Sequence, residues 1–286
     1  MDSIKMDGKA LADDILGQLA LRVERLRNYD ITPCLAVIGS EDDASKVYIR
    51  QKKKACERLH IEFQFYPMSE EAYFSDYVEL IGKLNSDPNV HGIIVQLPVK
   101  SNVYNDPSLG YYVINHIDHC KDVDGLTRHS VSNIWSNETT YFEPCTPRGI
   151  VTLLKEYLGD ISGKHVVIVG RSNIVGKPLA GLLLREDCTV TICHSKTERL
   201  MYHISNADIL VTAMGDPNVI TELPYGIEAL VDVSMNRDEF GHLVGDVPKY
   251  LYNHFNYYTP VPGGVGPMTV AMLMENVVDA AENTIL

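Results

Sequence analysis

Ser45, Tyr48 and Lys52 stand at i, i+3 and i+7 in SKVYIRQKKKA (45–55), a spacing that puts all three on one face of a helix. On such a face a phenol ring can stack on a flat heterocycle and an amine can pass a proton. Arg50, Lys53 and Lys54 crowd Lys52 with like charge, which favours its neutral, basic form. The run RQKKK reads equally as a solvated basic helix face. Gln96 follows the apolar run of HGIIVQLPV, at the carboxyl end of a buried strand, where open α/β sheets collect ligands. KDVDGL (121–126) sets Asp122 and Asp124 beside Gly125 in a loop. Asp124 can accept a pair of N–H donors from an aminopyrimidine-type ring, or it can simply form the turn.

A second constellation lies in the other half. VVIVGRSNIVGKPLAGLLL (166–184) is strand, glycine turn, then helix. Gly170 permits the tight turn, Gly176 lets the helix approach the sheet, and the free N–H groups at the helix start attract a phosphate. The spacing is not G-x-G-x-x-G: Ser172 stands at the second position, and Gly176 lies six residues after Gly170. An ordinary strand-to-helix turn has the same outline. The next strand, TVTIC (189–193), is followed by His194, Ser195, Lys196 and Thr197, with no acid to receive a ribose 2′-hydroxyl. Alone, HSKT is a solvated loop. Paired with Arg171 from the first turn, its hydroxyls and cations suit a 2′-phosphate, so the two segments favour NADP over NAD.

Other chemistries find less support. HIDHCKD (116–122) holds His116, Asp118, His119 and Cys120, but the spacing fits no closed zinc set and no second cluster completes it, so no metal is expected. Neither G-x-S-x-G nor H-E-x-x-H occurs.

The elements that must position these residues alternate between two periodicities. Residues 7–26 carry Leu11, Ile15, Leu16, Leu19 and Leu21 at helical spacing. CLAVIG (34–39) reads as a buried strand, and a helix from about 41 to 59 follows, its start marked by Ser40, Glu41, Asp42 and Asp43. Residues 61–66 read as a strand, 70–85 as a helix and 91–98 as a strand. Residues 100–145 are irregular, and PCTPRG (144–149) gives a firm break before a connecting helix over 148–158. Strands follow at 165–170, 189–193, 208–213 and 229–234, then YTPVPGGVGPMT (258–269) and a helix to about 282. This alternation predicts an α/β fold with mostly parallel sheets. The boundary falls near 146, and the last helix is expected to pack back on the first domain. The expected domains are therefore 1–145 with 268–286, and 146–267.

Composition agrees with that reading. The 286 residues suit two domains, and 45% hydrophobic with 22% charged residues is ordinary for a soluble globular chain. A net charge of -13 argues against non-specific binding to nucleic acid or anionic lipid. No run of about 18 apolar residues predicts a transmembrane helix, and the start MDSIKMDGKALADD lacks a signal peptide's apolar region, so a cytoplasmic location is expected. The six cysteines form no C-x-x-C pair and read as buried, reduced thiols.

Taken together, SKVYIRQKKKA, GIIVQLPV (92–99), KDVDG (121–125), PCTPRG, GRSNIVGKP (170–178), CHSKT (193–197), GDV (245–247) and PVPGGVGPMTVAML (260–273) resemble the bifunctional methylenetetrahydrofolate dehydrogenase/methenyltetrahydrofolate cyclohydrolase (FolD) family. The resemblance implies an N-terminal α/β folate domain closed by the C-terminal helix, a central Rossmann-like NADP domain, a cleft between them, and a homodimer. It implies oxidation of 5,10-methylenetetrahydrofolate by NADP and hydrolysis of the methenyl product to 10-formyltetrahydrofolate. By motif, Lys52 is the catalytic lysine, Tyr48 stacks on folate, Gln96 holds Lys52, and Asp124 anchors the pterin. Ser45, Pro262, Gly263 and Gly264 complete the substrate site. Gly170, Arg171, Ser172, Gly176, His194, Ser195, Gly215, Gly266 and Thr269 line the cofactor site. The chain departs from the pattern at Asp216, where lysine is common, at Ser234, where glycine is common, and at Ser130 and Ser132, which replace Asn and Gly. Three rivals share parts of this pattern: a family member that keeps only one of the two activities, an NADP-binding scaffold without chemistry, and another two-domain dehydrogenase acting on a shikimate-like acid. The scaffold has no need of Tyr48, Lys52, Gln96 and Asp124, and the shikimate-type enzyme leaves DVDG and PVPGGVGPMT unexplained.

Overall fold

The computed structural model describes residues 3–285 except 105, 137, 139, 140 and 218, and the side chains of Asp43 and Ala44 are also outside the description. The chain divides into two compact units, residues 14–144 with 270–286, and residues 1–13 with 145–269.

The first unit is built on a three-stranded parallel sheet in the order Glu62–Pro67, Cys34–Gly39, Gly92–Val95. The central strand is buried at every residue, as expected for a parallel strand covered on both faces. On one face Ala36, Ile38, Ile93 and Val95 pack with Tyr77, Ile81 and Leu84 of the helix Phe74–Ser86. The helix Asp43–Leu59 follows the central strand and carries the Tyr48–Lys52 face. Within the stretch read as irregular, Leu109–Ile114 and Arg128–Ser136 are short helices. Their few turns present too little periodic sequence to be recognised locally. The C-terminal helix Val265–Glu282 contributes residues 270–282 to this unit, where Arg22 bonds Asp279 at 2.6 Å and Glu282 at 2.5 Å.

The second unit holds a six-stranded parallel sheet. Its strands run in the order Ile4–Lys5, Tyr257–Tyr258, Ala229–Asp232, Ile209–Thr212, His165–Val169, Thr189–Cys193. Counting from His165–Val169 this is the doubly wound 2-1-3-4-5 order, whose switch point lies between His165–Val169 and Ile209–Thr212. Val167, Val169, Leu210 and Leu230 form the core of one face with Phe255 and Leu251.

Residues 1–13 pack with the second unit. Ile4 pairs with Tyr257 and Lys5 with Tyr258, the Met6 side chain is fully buried, and a Cβ on Gly8 would lie 2.0 Å from the Gly264 carbonyl oxygen. PCTPRG is not a break: the helix Cys145–Leu158 runs through it, with Pro147 in the first turn, where a missing N–H costs nothing. Pro267 likewise sits in the first turn of Val265–Glu282, which begins earlier than its sequence suggests. Of the cysteines, five are buried, but Cys120 is exposed. No described helix is long and apolar enough to cross a membrane.

Candidate active site

Asp42 starts the helix that carries the lysine. Its carboxylate accepts the Ser45 amide at 3.1 Å and the Ser45 hydroxyl at 2.7 Å, bonds the Ser40 hydroxyl, and pairs with Lys100 at 3.2 Å. The Ser40 and Ser45 hydrogen bonds hold its carboxyl well below the usual carboxylate range. Ser45 is buried, and its hydroxyl is engaged in this cap. Tyr48, one turn on, is 43% exposed and offers its ring to solvent. Lys52 is half-buried, and its Nζ donates to Gln96 Oε1 at 2.6 Å. Gln96 is set in turn: its backbone amide bonds Ile38 O at 2.8 Å and its Nε2 bonds Leu97 O at 3.1 Å. Gly39 lets it lie close, because a Cβ there would come within 3.0 Å of Gln96 Cβ. Ser40, Asp42 and Gln96 all lie just past the carboxyl ends of parallel strands, so the sheet itself converges the amine, the amide and the phenol-bearing helix.

Asp124 sits in a loop with little freedom. Asp122, beside it in sequence, is buried and takes the Thr127 amide at 2.9 Å, the Leu126 amide at 3.2 Å and the Ser130 hydroxyl at 2.6 Å. Burial pushes the Asp122 carboxyl up, against those hydrogen bonds. Ser130 thus has a defined structural task. Val123 O accepts Asn276 Nδ2 from the C-terminal helix at 2.8 Å. Gly125 has φ +67°, and a Cβ would meet the Glu143–Pro144 backbone at 2.6 Å. Asp124 itself stays half-buried at the rim of this loop. His119 packs against the rings of His129 and Tyr141.

In the second unit the parallel pairing puts the loops after His165–Val169, Thr189–Cys193, Ile209–Thr212, Ala229–Asp232 and Tyr257–Tyr258 at one end of the sheet. Gly170 (φ +141°) lies at the switch point, where a Cβ would be 2.4 Å from Ala213 O. Gly176 opens the helix Gly176–Arg185 so close to the turn that a Cβ would lie 2.1 Å from Gly170 O. Ser172 Oγ accepts the Val175 amide at 3.1 Å and the Gly176 amide at 3.5 Å, so its hydroxyl shapes the helix entry. Val169 pairs with Cys193, which sets Arg171 and Ser195 two residues beyond paired positions on adjacent strands, both exposed. His194 Nδ1 accepts the Lys196 amide at 3.1 Å, closing the HSKT turn. Gly215 (φ +72°) lies in the turn after Ile209–Thr212.

The glycine contacts predict opposite outcomes for two alanine substitutions. Gly176→Ala must displace backbone and should cost roughly 1–3 kcal/mol. Gly17→Ala, in an exposed helix position with nothing within 4 Å of the added Cβ, should add roughly 0.5–1 kcal/mol. Urea midpoints of the two variants should move in opposite directions from the parent. A Gly176→Ala midpoint at or above the parent's would show that the turn is not tightly closed.

Residues 260–266 pack within the second unit. Gly263 O accepts the Lys9 amide at 3.0 Å, and Gly264 donates its amide to Pro260 O at 2.8 Å. Pro262 is exposed, and Gly266 is half-buried beside Met235. Thr269 Oγ1 bonds Thr146 Oγ1 at 2.9 Å. Sequence reasoning did not find the organising acids Asp232 and Asp246. Asp246 lies in the quoted GDV motif, but nothing local indicates what it holds.

Residues 6–124 match the catalytic domain of the tetrahydrofolate dehydrogenase/cyclohydrolase family, and residues 144–285 match its NAD(P)-binding domain. The "Bifunctional protein FolD" of Bacillus subtilis (strain 168) is 44% identical over 289 aligned residues that cover 100% of both chains. The crystal structure of the bifunctional enzyme FolD-methylenetetrahydrofolate dehydrogenase/cyclohydrolase from Campylobacter jejuni is 40% identical, with a TM-score of 0.93 over 99% of each chain. That of Trypanosoma brucei N5,N10-methylenetetrahydrofolate dehydrogenase-cyclohydrolase (FolD), complexed with NADP cofactor and inhibitor, is 30% identical, with a TM-score of 0.91 over 100% of this chain and 99% of that one. With both domains matched and the two-unit architecture shared along the whole length, the chain belongs to the tetrahydrofolate dehydrogenase/cyclohydrolase family.

Proposed function

We propose that this protein oxidises 5,10-methylenetetrahydrofolate with NADP to the 5,10-methenyl cation and hydrolyses that cation to 10-formyltetrahydrofolate. The observation that carries this reading is the 2.6 Å contact of Lys52 Nζ with Gln96 Oε1, on the helix face that also presents Tyr48. Tyr48 stacks on the folate, Asp124 receives N–H donors of the pterin, and the Pro262–Gly264 segment lets backbone approach the substrate. The substrate's own nitrogen lone pair stabilises the cation formed when hydride leaves, so the first reaction needs alignment more than a base. In the second, Lys52 moves a proton at Nζ as water adds to the cationic carbon and the bond from that carbon to N5 opens. Gln96 holds the amine in place for that transfer.

The residues at the carboxyl end of the six-stranded sheet fit a dinucleotide with a 2′-phosphate. The turn around Gly170 and Gly176 closes backbone against backbone, Arg171 and Ser195 are exposed two residues beyond paired positions on adjacent strands, and Lys196 is exposed next in the chain to Ser195. NADP, when bound, supplies the hydride acceptor. His194, Ser172, Gly215, Gly266 and Thr269 belong to the same proposed site. The protein acts as a cytoplasmic homodimer in this reading.

The test supplies 5,10-methylenetetrahydrofolate with NADP or NAD, following reduced nicotinamide together with the decay of methenyl absorbance. The expected result is NADPH formation, methenyl decay, and a higher kcat/KM with NADP than with NAD. Arg171→Ala and Ser195→Ala should each lower kcat/KM for NADP by about 10- to 150-fold, the equivalent of one charge-assisted contact, and largely spare NAD. The loss should shrink at high salt, because an exposed phosphate contact is screened. An unchanged cofactor ratio in Arg171→Ala, or a parent that prefers NAD, would sink the 2′-phosphate reading.

A further inference from the structure

A fully buried carboxylate ties together two loops at the nucleotide end of the six-stranded sheet. Asp246 Oδ2 accepts the Met214 amide at 2.7 Å and the Ser234 hydroxyl at 2.7 Å, and its Oδ1 accepts the Asp216 amide at 3.0 Å and Asn236 Nδ2 at 3.0 Å. Ser234 Oγ accepts the Gly215 amide at 3.0 Å. One carboxylate and one hydroxyl therefore take three consecutive N–H groups of the turn after Ile209–Thr212. Because each peptide unit is planar and trans, the carbonyls of Ala213, Met214 and Gly215 point away from the Asp246 and Ser234 oxygens that take the following amides.

Asp246 is itself anchored. Its amide donates to Asp232 Oδ1 at 2.9 Å, and the Val247 amide donates to Asp232 Oδ2 at 3.0 Å. Asp232, at the end of Ala229–Asp232, also takes the Tyr252 hydroxyl at 3.1 Å and the Thr212 hydroxyl at 3.2 Å. A Cβ on Gly245 would fall 1.9 Å from Asp232 Oδ2, so only glycine lets this turn approach. Two acids buried side by side cost desolvation energy that apolar residues would not. They stand beside the switch point, where doubly wound sheets bind nucleotides.

We propose that Asp246, acting with Ser234, is a positioning residue of the cofactor site: it fixes the 214–216 turn and so sets dinucleotide affinity without touching the dinucleotide. This rests on the reading of that sheet end as the cofactor site. Ser234 supplies the hydroxyl that meets the Gly215 amide.

The test titrates NADP directly onto the full-length protein and follows hydrolysis of 5,10-methenyltetrahydrofolate, which consumes no NADP, in the same preparations. Asp246→Asn sets an NH2 group against N–H donors and should raise the Kd for NADP about tenfold or more. Its hydrolytic kcat/KM should stay within about twofold of the parent's. Ser234→Ala should raise the Kd by about three- to tenfold, and Ser234→Thr, which restores a hydroxyl, should recover most of that loss. If Asp246→Asn does not fold, the Ser234 pair decides. A parental Kd in Ser234→Ala and in any folded Asp246→Asn overturns the proposal. So does a Ser234→Ala variant that loses binding and hydrolysis in equal measure, which would make the network a scaffold only. If the parent binds NAD in place of NADP, the 2′-phosphate reading fails. The same variants are then scored on NAD, where an unchanged Kd again overturns the positioning role.

Discussion

Lys52→Met is expected to abolish hydrolysis of 5,10-methenyltetrahydrofolate while folate and NADP still bind. Methionine keeps the length and the apolar stem of the half-buried lysine and removes only the proton-carrying group. Gln96 loses its 2.6 Å partner but keeps its own backbone amide bond to Ile38 O and its side-chain bond to Leu97 O, so the strand end should hold its shape. Removing a positioned general acid–base costs roughly 10²- to 10⁴-fold in rate. The measurement is the decay of methenyl absorbance in excess substrate, with folate affinity taken from a separate titration. A purified Lys52→Met protein that hydrolyses at the parental rate would make Lys52 a surface cation of the RQKKK run.

Asp124→Ala should have the next largest effect, on binding rather than turnover. A carboxylate facing two N–H donors makes charge-assisted bonds of roughly 1.5–3 kcal/mol each. Loss of both should therefore weaken folate by about 10²-fold or more, while NADP binding moves little. The loop around Asp124 is held by Asp122, by Asn276 on Val123 O and by the left-handed Gly125. Parallel titrations of folate and NADP check this. Equal loss of both ligands, or loss of neither, would count against the pterin-anchor role.

The two candidate constellations were legible in the sequence to different depths. Tyr48 and Lys52 were readable because the period of a helix alone puts them on one face, and Gln96 because a fully apolar run ending in an amide marks the carboxyl end of a buried strand. The strand–turn–helix at Gly170 and the acid-free HSKT turn were readable because each is a local pattern of a few residues. Ser45 and Ser172 were readable as positions but not as partners. Only the folded chain shows their hydroxyls engaged, one with Asp42 and one with the entry of the Gly176–Arg185 helix.

The sequence by itself determined the α/β alternation, the central strands, the Tyr48–Lys52 helix face and the cation-bearing turns after two of the strands, since each depends on neighbours within one or two turns of chain. Tertiary structure alone decided the rest. Ile4–Lys5 joins the nucleotide sheet through pairing with residues more than 250 positions away, and a two-residue strand carries no periodicity to announce it. Pro147 and Pro267 look like breakers until the helix start is located, because a proline in the first turn and a proline in a loop have the same local sequence. Asp232 reads as a strand residue and Asp246 as part of the short GDV motif, and they become the support of the 214–216 turn only when parallel strands bring their ends together. A buried polar network is satisfied by distant donors, and no local pattern in the chain encodes which donors those are.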